Sequence, residues 1–365
     1  MLGHPTRQTR TDSSATVSLS NNRVMDFHSI TEQTPTENPA CVPQDGKDQP
    51  IAISVILCTY NRCESLARAL RSVAASQLPE SVRWEVLVVD NNSKDQTRAV
   101  AEEFCRNHPG CFRYVYEPQQ GKSRALNAGI REARGNIFAF IDDDVIVEST
   151  WLRNLTALLN TDQWAGAGGR ILPAREFVHP GWLSLEGRHA LAPLALFDRG
   201  LEEGTLTESP YGTNMAYRRA MFEQHGPFRI DLGPQADIRV PQKSEDSEFG
   251  RRLLDAGERL RYEPTAVVYH EIPEARVQKK YFLNWWFDKS RSDIRASGVP
   301  SDTKWLVARV PVSMVRSFAA WTLRWVFTVN ASRRFSAKTK VWALAGWISE
   351  SYRQSRGGTT ERPRN

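Results

Sequence analysis

Long apolar runs are scarce in this chain. No stretch reaches the roughly 18 uninterrupted apolar residues that a membrane-spanning helix needs; the longest candidate, Phe318–Val329, is broken by Arg324. The first 50 residues lack the apolar core of a secretory signal. Cysteine is sparse as well, at positions 41, 58, 63, 105 and 111, with no CxxC and no Cys/His zinc spacing. That odd, scattered set argues against a disulfide framework and for idle thiols in a reducing compartment. A cytoplasmic protein is expected, with peripheral attachment to the inner face of the cell membrane raised by the charge pattern. Acid is nearly missing from the C-terminal quarter: residues 276–365 hold 18 Lys and Arg against 5 Asp and Glu. Seven of the 11 Trp lie there too, so an anionic partner is implied for that part of the chain.

What is present is enough for a sizeable core: 365 residues, 40% hydrophobic and 25% charged. Residues 1–50 are rich in Thr, Ser, Asn, Gln and Pro and read as a disordered leader. Order begins at Ile51. Ile51–Cys58 and Trp84–Val89 are β-branched apolar runs of the kind that form strands buried on both faces. Phe112–Tyr116 and Asn136–Ile141 read as further strands, and helical spacing fills Glu64–Ser76, Asp95–Asn107 and Ser123–Ala133. This alternation predicts an α/β domain with a mostly parallel sheet flanked by helices. In such sheets ligands sit beyond the carboxyl ends of the strands, which places Tyr60, Asp90 and Asp142 on one rim. Later segments are mixed: a strand at Trp164–Leu172, an irregular stretch at Pro173–Ser209, a helix at Ser244–Ala256 and a strand at Arg261–Tyr269.

Four groups of residues carry candidate chemistry. Asp142, Asp143 and Asp144 follow an apolar strand, where they either hold a hard cation such as Mn²⁺ or Mg²⁺ or cap a helix. Glu245 and Asp246 open a predicted helix; a carboxylate there either serves as general base or completes a capping box with Ser244 and Glu248. Gln120–Arg124 (QGKSR) offers a glycine, helix-start N–H groups and two bases to a phosphate. It is not a P-loop, because Tyr116 stands where the first glycine is required. His270, at a predicted strand end, is a candidate third metal ligand or phosphate contact.

Taken in order, VILCTYNR (55–62), VVDNNSKD (88–95), QGKSRALNAGIREARG (120–135), FIDDD (140–144) and SEDSEFGRRLLDAGERLRYEPTAVVYH (244–270) resemble the family-2 glycosyltransferases. YGTNMAYRRAMFEQHGPF (211–228) is similar to the family's segment before its Glu-Asp pair. The resemblance spans about Ile51–Arg295 and implies a GT-A fold, a nucleotide-sugar donor and inverting chemistry. It implies that Tyr60 and Asp90 contact the base and ribose, with Thr59, Asn61, Asn91, Lys122, Arg124 and Asp143 around the same donor. Asp142 and Asp144 match the DxD positions for ribose and metal-pyrophosphate, and Asp246 matches the catalytic base beside Glu245. Two departures stand out. Many members carry a second Asp where this chain has Asn91, and many carry Pro where it has Cys58. The QxxRW motif of processive synthases is not evident, since Trp321-Thr322-Leu323 precedes Arg324-Trp325. A single-addition enzyme is therefore expected, acting on a glycan or lipid-linked acceptor.

The expected organisation is a catalytic domain at 51–275, with a nucleotide-binding half (51–145) and an acceptor half (146–275). A helical, basic and aromatic extension follows at 276–353, with a disordered tail at 354–365. Within the extension Arg309 and Arg316 share one helix face, and Met314, Phe318, Trp321 and Trp325 share another. After a break at Asn330–Ser336, Val341, Leu344, Ile348 and Tyr352 form a second stripe. Trp and Tyr beside Arg and Lys suit an anionic membrane surface, or else these helices pack on the catalytic domain. No nucleic-acid motif accompanies the charge, so nucleic acid is not the expected partner. Two other classes stay open: a sugar nucleotidyltransferase, although Thr59–Arg62 stands where its Gly-rich loop belongs, and a non-catalytic scaffold.

Overall fold

The computed structural model describes residues 50–175, 179–184, 190–235, 243–299, 305–307 and 310–356. Residues 1–49 of the proposed leader, Arg309 and residues 357–365 of the tail lie outside the described residues. Four parallel strands form the first half of the sheet: β1 (Ile53–Thr59), β2 (Trp84–Asp90), β3 (Phe112–Tyr116) and β4 (Ile137–Asp142), in the order β3-β2-β1-β4. Helices α1 (Cys63–Ala74), α2 (Thr97–Asn107) and α3 (Lys122–Glu132) connect them. The apolar runs become strands because helices cover both faces, leaving β2 buried along its whole length. Thr59 lies opposite Asp90, and Cys58 lies opposite Asp142. The strand ends are therefore level, and the residues beyond them share one rim.

The second half is mixed: β6 and β9 pair parallel, and the other pairings there are antiparallel. It contains β5 (Val145–Val147), α4 (Trp151–Thr156), β6 (Gly166–Pro173), β7 (Gly204–Leu206), β8 (Asn214–Arg218), α5 (Arg219–His225), α6 (Glu245–Asp255) and β9 (Leu260–His270). The order continues from β4 through β8, β6 and β9 to β5, with β7 also on β9. Strand β8 was not foreseen. It runs antiparallel between β4 and β6 with Asn214 opposite Ile141, which delivers Thr213 to the side of Asp142. The buried Asn214 amide fixes this register: it accepts from Trp151 Nε1 (2.8 Å) and donates to the carbonyls of Arg170 and Ala266 (2.9 Å each). Phe222 stacks on Phe249 at 4.4 Å, and Phe140, Tyr217 and Phe228 close around them. That cluster clamps α5 and α6 to the sheet and sets where Glu245 and Asp246 stand.

Three helices form the C-terminal part: α7 (Lys279–Ser297), α8 (Val312–Phe327) and α9 (Ala331–Arg356), with a small antiparallel pair, β10 (Leu306–Val307) and β11 (Val310–Pro311), before α8. The expected break at Asn330–Ser336 is shorter, because α9 restarts at Ala331, and α9 runs into the expected tail. Val341 and Leu344 are buried. Glu350 is wholly buried and accepts from Arg291 (3.2 Å), Arg295 (3.0 Å) and Arg353 (2.6 Å). Burial opposes its ionisation, but Arg295 and Arg353 outweigh it and hold the carboxyl at about 2. α9 is thus packed into the molecule. None of the described helices is long and apolar enough to cross a membrane. Cys58, Cys63 and Cys105 are free thiols, whereas Cys111 is disulfide-bonded, contrary to the expectation that all five are idle.

Candidate active site

Asp142 ends β4, and Asp143 and Asp144 form the turn leading into β5, so the helix-capping alternative fails for lack of a helix to cap. Asp142 accepts from Lys122 Nζ at 2.6 Å and from Thr213 Oγ1 at 2.9 Å. Asp143 points inward, accepting from Thr59 Oγ1 (2.7 Å) and Arg62 Nη1 (3.1 Å). Burial raises its carboxyl to about 6 against the pull of Arg62. Asp144 accepts from Arg62 at 2.7 Å and lies 3.6 Å from His270 Nε2 and 3.9 Å from Arg276 Nη2. Burial opposes its charge, but His270 and Arg62 overcome that and keep it well below the usual carboxylate range. His270 is 2% exposed; its Nδ1 has no hydrogen-bond partner among the described residues, and its Nε2 also lies 3.3 Å from Arg276.

The capping-box alternative for Glu245 and Asp246 also fails. Ser244 sits at φ +81° and makes no side-chain cap bond; its hydroxyl bonds Asp293. Glu248 pairs with Arg252 instead. A left-handed serine is costly backbone geometry, and here it directs Glu245 inward. Asp246 accepts from the Gly212 N–H at 2.8 Å and from the Ser247 N–H at 2.6 Å. A Cβ on Gly212 would stand 3.3 Å from that carboxylate oxygen, so glycine permits the approach.

Lys122 links the two acid groups. Its ammonium reaches Asp142 and lies 3.8 Å from Glu245. Burial disfavours the charge, but Asp142, Glu245 and Asp246 outweigh it, and the group is held above the ordinary lysine range. Glu245 is itself pushed up to about 7, by burial first and then by Asp246, with Lys122 pulling the other way. Above its ordinary 4.5, the unfolded chain releases this proton while the native state keeps it. The stabilising contribution is therefore whole below 4.5 and lost as pH rises through 7. Glu245→Gln removes that dependence. Thermal unfolding from pH 4 to 8 is expected to show the variant gaining on the wild type with rising pH, by up to about 3 kcal/mol. Parallel curves would contradict the assignment.

The donor-side residues fall into two groups. Tyr60 is exposed beyond β1, and Asp90 is buried, accepting from Tyr114 Oη and the Ser93 N–H at 2.9 Å each. Asn61, at φ +52°, receives the Lys94 N–H (2.7 Å) and donates its own to Ser93 Oγ (2.9 Å). Asn91 is a scaffold: its amide donates to the carbonyls of Glu117 and Gln119 and accepts the Gly121 N–H at 2.8 Å. An Asp could not make those donations, which accounts for the amide here. Gly121 takes φ +139°, and the Lys122 N–H bonds the Pro234 carbonyl, so these two helix-start groups are already engaged. Arg124 turns to Gln119 Oε1 (2.6 Å) and is not among the partners of the acid turn.

Sequence reasoning missed four members. Arg62 was quoted within a motif but given no role. Gly212 and Thr213 lay in a segment with no assigned chemistry, and Arg276 lay beyond the assumed domain end. Arg62 and Thr213 were findable only through their partners, which stand 81 and 71 residues away.

The sequence of this chain matches the family described as Glycosyl transferase family 2 over residues 54–226. It is 30% identical over 234 residues to the succinoglycan biosynthesis protein ExoM of Rhizobium meliloti (strain 1021), covering 63% of this chain and 70% of that protein. It is 28% identical over 244 residues to a glucosyl-dolichyl phosphate glucuronosyltransferase of Haloferax volcanii, covering 64% and 74%. Among solved structures, GalNAc-T7, crystallised with UDP, GalNAc and Mn²⁺, superposes with a TM-score of 0.52 at 14% identity, covering 85% of this chain and 58% of that one. The fold is GT-A, and the chain belongs to glycosyltransferase family 2. It is a glycosyltransferase that uses a nucleotide-sugar donor, which removes the nucleotidyltransferase and scaffold alternatives.

Proposed function

We propose that this enzyme transfers a sugar, with inversion, from a nucleoside diphosphate sugar to a hydroxyl of a glycan or lipid-linked glycan, with Asp246 as general base. The observation that carries the reading is the arrangement of Gly212 and Thr213. These adjacent residues bond Asp246 and Asp142 respectively, which supports reading the proposed base and the acid turn as one site. Asp246 takes the proton from the acceptor hydroxyl, and that oxygen attacks the anomeric carbon from the face opposite the leaving group. The bond between that carbon and the phosphate oxygen breaks, and the diphosphate departs with the electron pair. Arg62, Lys122 and Arg276 supply positive charge on the side where the diphosphate collects its own.

Mn²⁺ or Mg²⁺ fits the donor set. Among the described residues no three His, Cys, Asp or Glu side chains are grouped to hold an ion by themselves. Such ions commonly use only one or two carboxylates and take their other oxygens from phosphate and water. Asp144, kept ionised by its neighbours, and Asp142 are those carboxylates, with His270 positioning Asp144 or joining as a third ligand. The ion would neutralise charge on the departing diphosphate. Tyr60, Asp90 and the loops held by Asn61 and Asn91 line the nucleoside end. The acceptor class is supported by the names of the two relatives, one in succinoglycan synthesis and one acting on a dolichyl phosphate glycan.

A panel of nucleotide sugars assayed with Mn²⁺, then with chelator, tests the reading. Chelation is expected to abolish turnover and added Mn²⁺ to restore it. Asp144→Asn should lose about 100-fold or more in rate, and proton NMR of the product should report an inverted anomeric centre. Retained configuration would refute the mechanism.

A further inference from the structure

The C-terminal helices resolve two questions that the sequence left together. The stripe of Met314, Phe318, Trp321 and Trp325 does not face outward. Met314 is buried and the other three are half-buried, with Trp325 edge-on to Trp342 of α9 at 5.8 Å. A different stripe of α8 is left uncovered. Val315, Leu323, Val326 and Phe327 recur at helical spacing and are 40%, 59%, 54% and 76% exposed, and Val329 beyond the helix is 95% exposed. A row of this kind on one helix is a contiguous apolar surface rather than a scatter of single residues.

The exposed charges of α8 and the start of α9 carry one sign: Arg316, Arg324, Arg333 and Arg334. The sequence contains no Asp or Glu between Asp302 and Glu350. The helix cannot cross a bilayer. An amphipathic helix with an apolar row and a basic border is suited to lying in the plane of the headgroups. A second copy of the chain fits poorly. A two-fold contact sets the same patch against itself and would bring these arginines together with no acid to answer them. We propose that the outer face of α8 is a membrane-docking surface, seated on a bilayer that carries anionic lipid. The charge complementarity selects that occupant, and the inference is independent of the donor and acceptor chemistry proposed above.

The test uses the full-length protein and vesicles of phosphatidylcholine with or without phosphatidylglycerol. The protein is expected to co-sediment with the anionic vesicles, weakly with the neutral ones, and less as salt is raised. Leu323→Glu with Phe327→Glu should cut the bound fraction by about 10-fold or more, with unfolding temperature and turnover of a soluble acceptor unchanged. Arg316→Gln with Arg324→Gln should weaken only the anionic-lipid component. Wild-type protein left in the supernatant with anionic vesicles would overturn the proposal. So would undiminished binding by the double glutamate variant. Sedimentation velocity supplies the other arm: a dimer that the glutamates dissociate, in protein that ignores vesicles, would assign the surface to a second copy instead.

Discussion

Replacing Asp246 by Asn is expected to lower the transfer rate by roughly 10²- to 10⁴-fold, the usual contribution of a placed general base. Donor affinity should stay within a few-fold of wild type, because the carboxylate bonds Gly212 and Ser247 and none of the three acids after β4. The amide oxygen of Asn can still accept one of these N–H groups, so the fold should survive. Single-turnover kinetics beside donor titration separate the two effects. A variant that transfers sugar at the wild-type rate would remove Asp246 from the mechanism. A variant that binds donor poorly would move the residue to the donor side.

The largest expected loss of stability comes from Lys122→Met. Its ammonium stands between the part-buried Asp142 and the buried Glu245. Deleting it leaves two carboxylates without their cation, and breaking a buried pair in this way costs about 3–5 kcal/mol. Urea unfolding should record this as a lower midpoint at constant slope. The proton affinity of Glu245 should rise further, since Lys122 is the group that lowers it. A loss under about 1 kcal/mol would mean that the lysine is solvated like a surface residue.

The parallel half of the fold was legible because strands covered on both faces are nearly continuous apolar runs, as β1, β2 and β4 are, whereas the edge strand β3 carries Arg113 and an exposed Tyr116. Their ends also fixed the rim, which set Tyr60, Asp90 and Asp142 at one edge of the sheet. The rest was hidden for specific reasons. Strand β8 is short and was read only as part of a motif. The two capping alternatives were reasonable from spacing, yet one requires a helix where the chain turns into β5. The other requires an extended serine where Ser244 is left-handed. Asn91 stood out only as a departure from the family's second Asp, and its amide proves to bracket the loop at Glu117–Gly121. The C-terminal apolar stripes were visible, but periodicity alone does not say which of two faces finds a helix to lean on. For α8 the aromatic face packs and the aliphatic face is bare.

Gly212 and Thr213 have one more effect. The Gly212 N–H bonds the proposed base Asp246 and the hydroxyl of the next residue, Thr213, bonds Asp142, so adjacent residues tie the base to the acid turn. The two cannot drift apart through independent loop motion. A family member could change its sugar or its acceptor by altering surrounding loops, yet the reach of the reaction itself would stay the same.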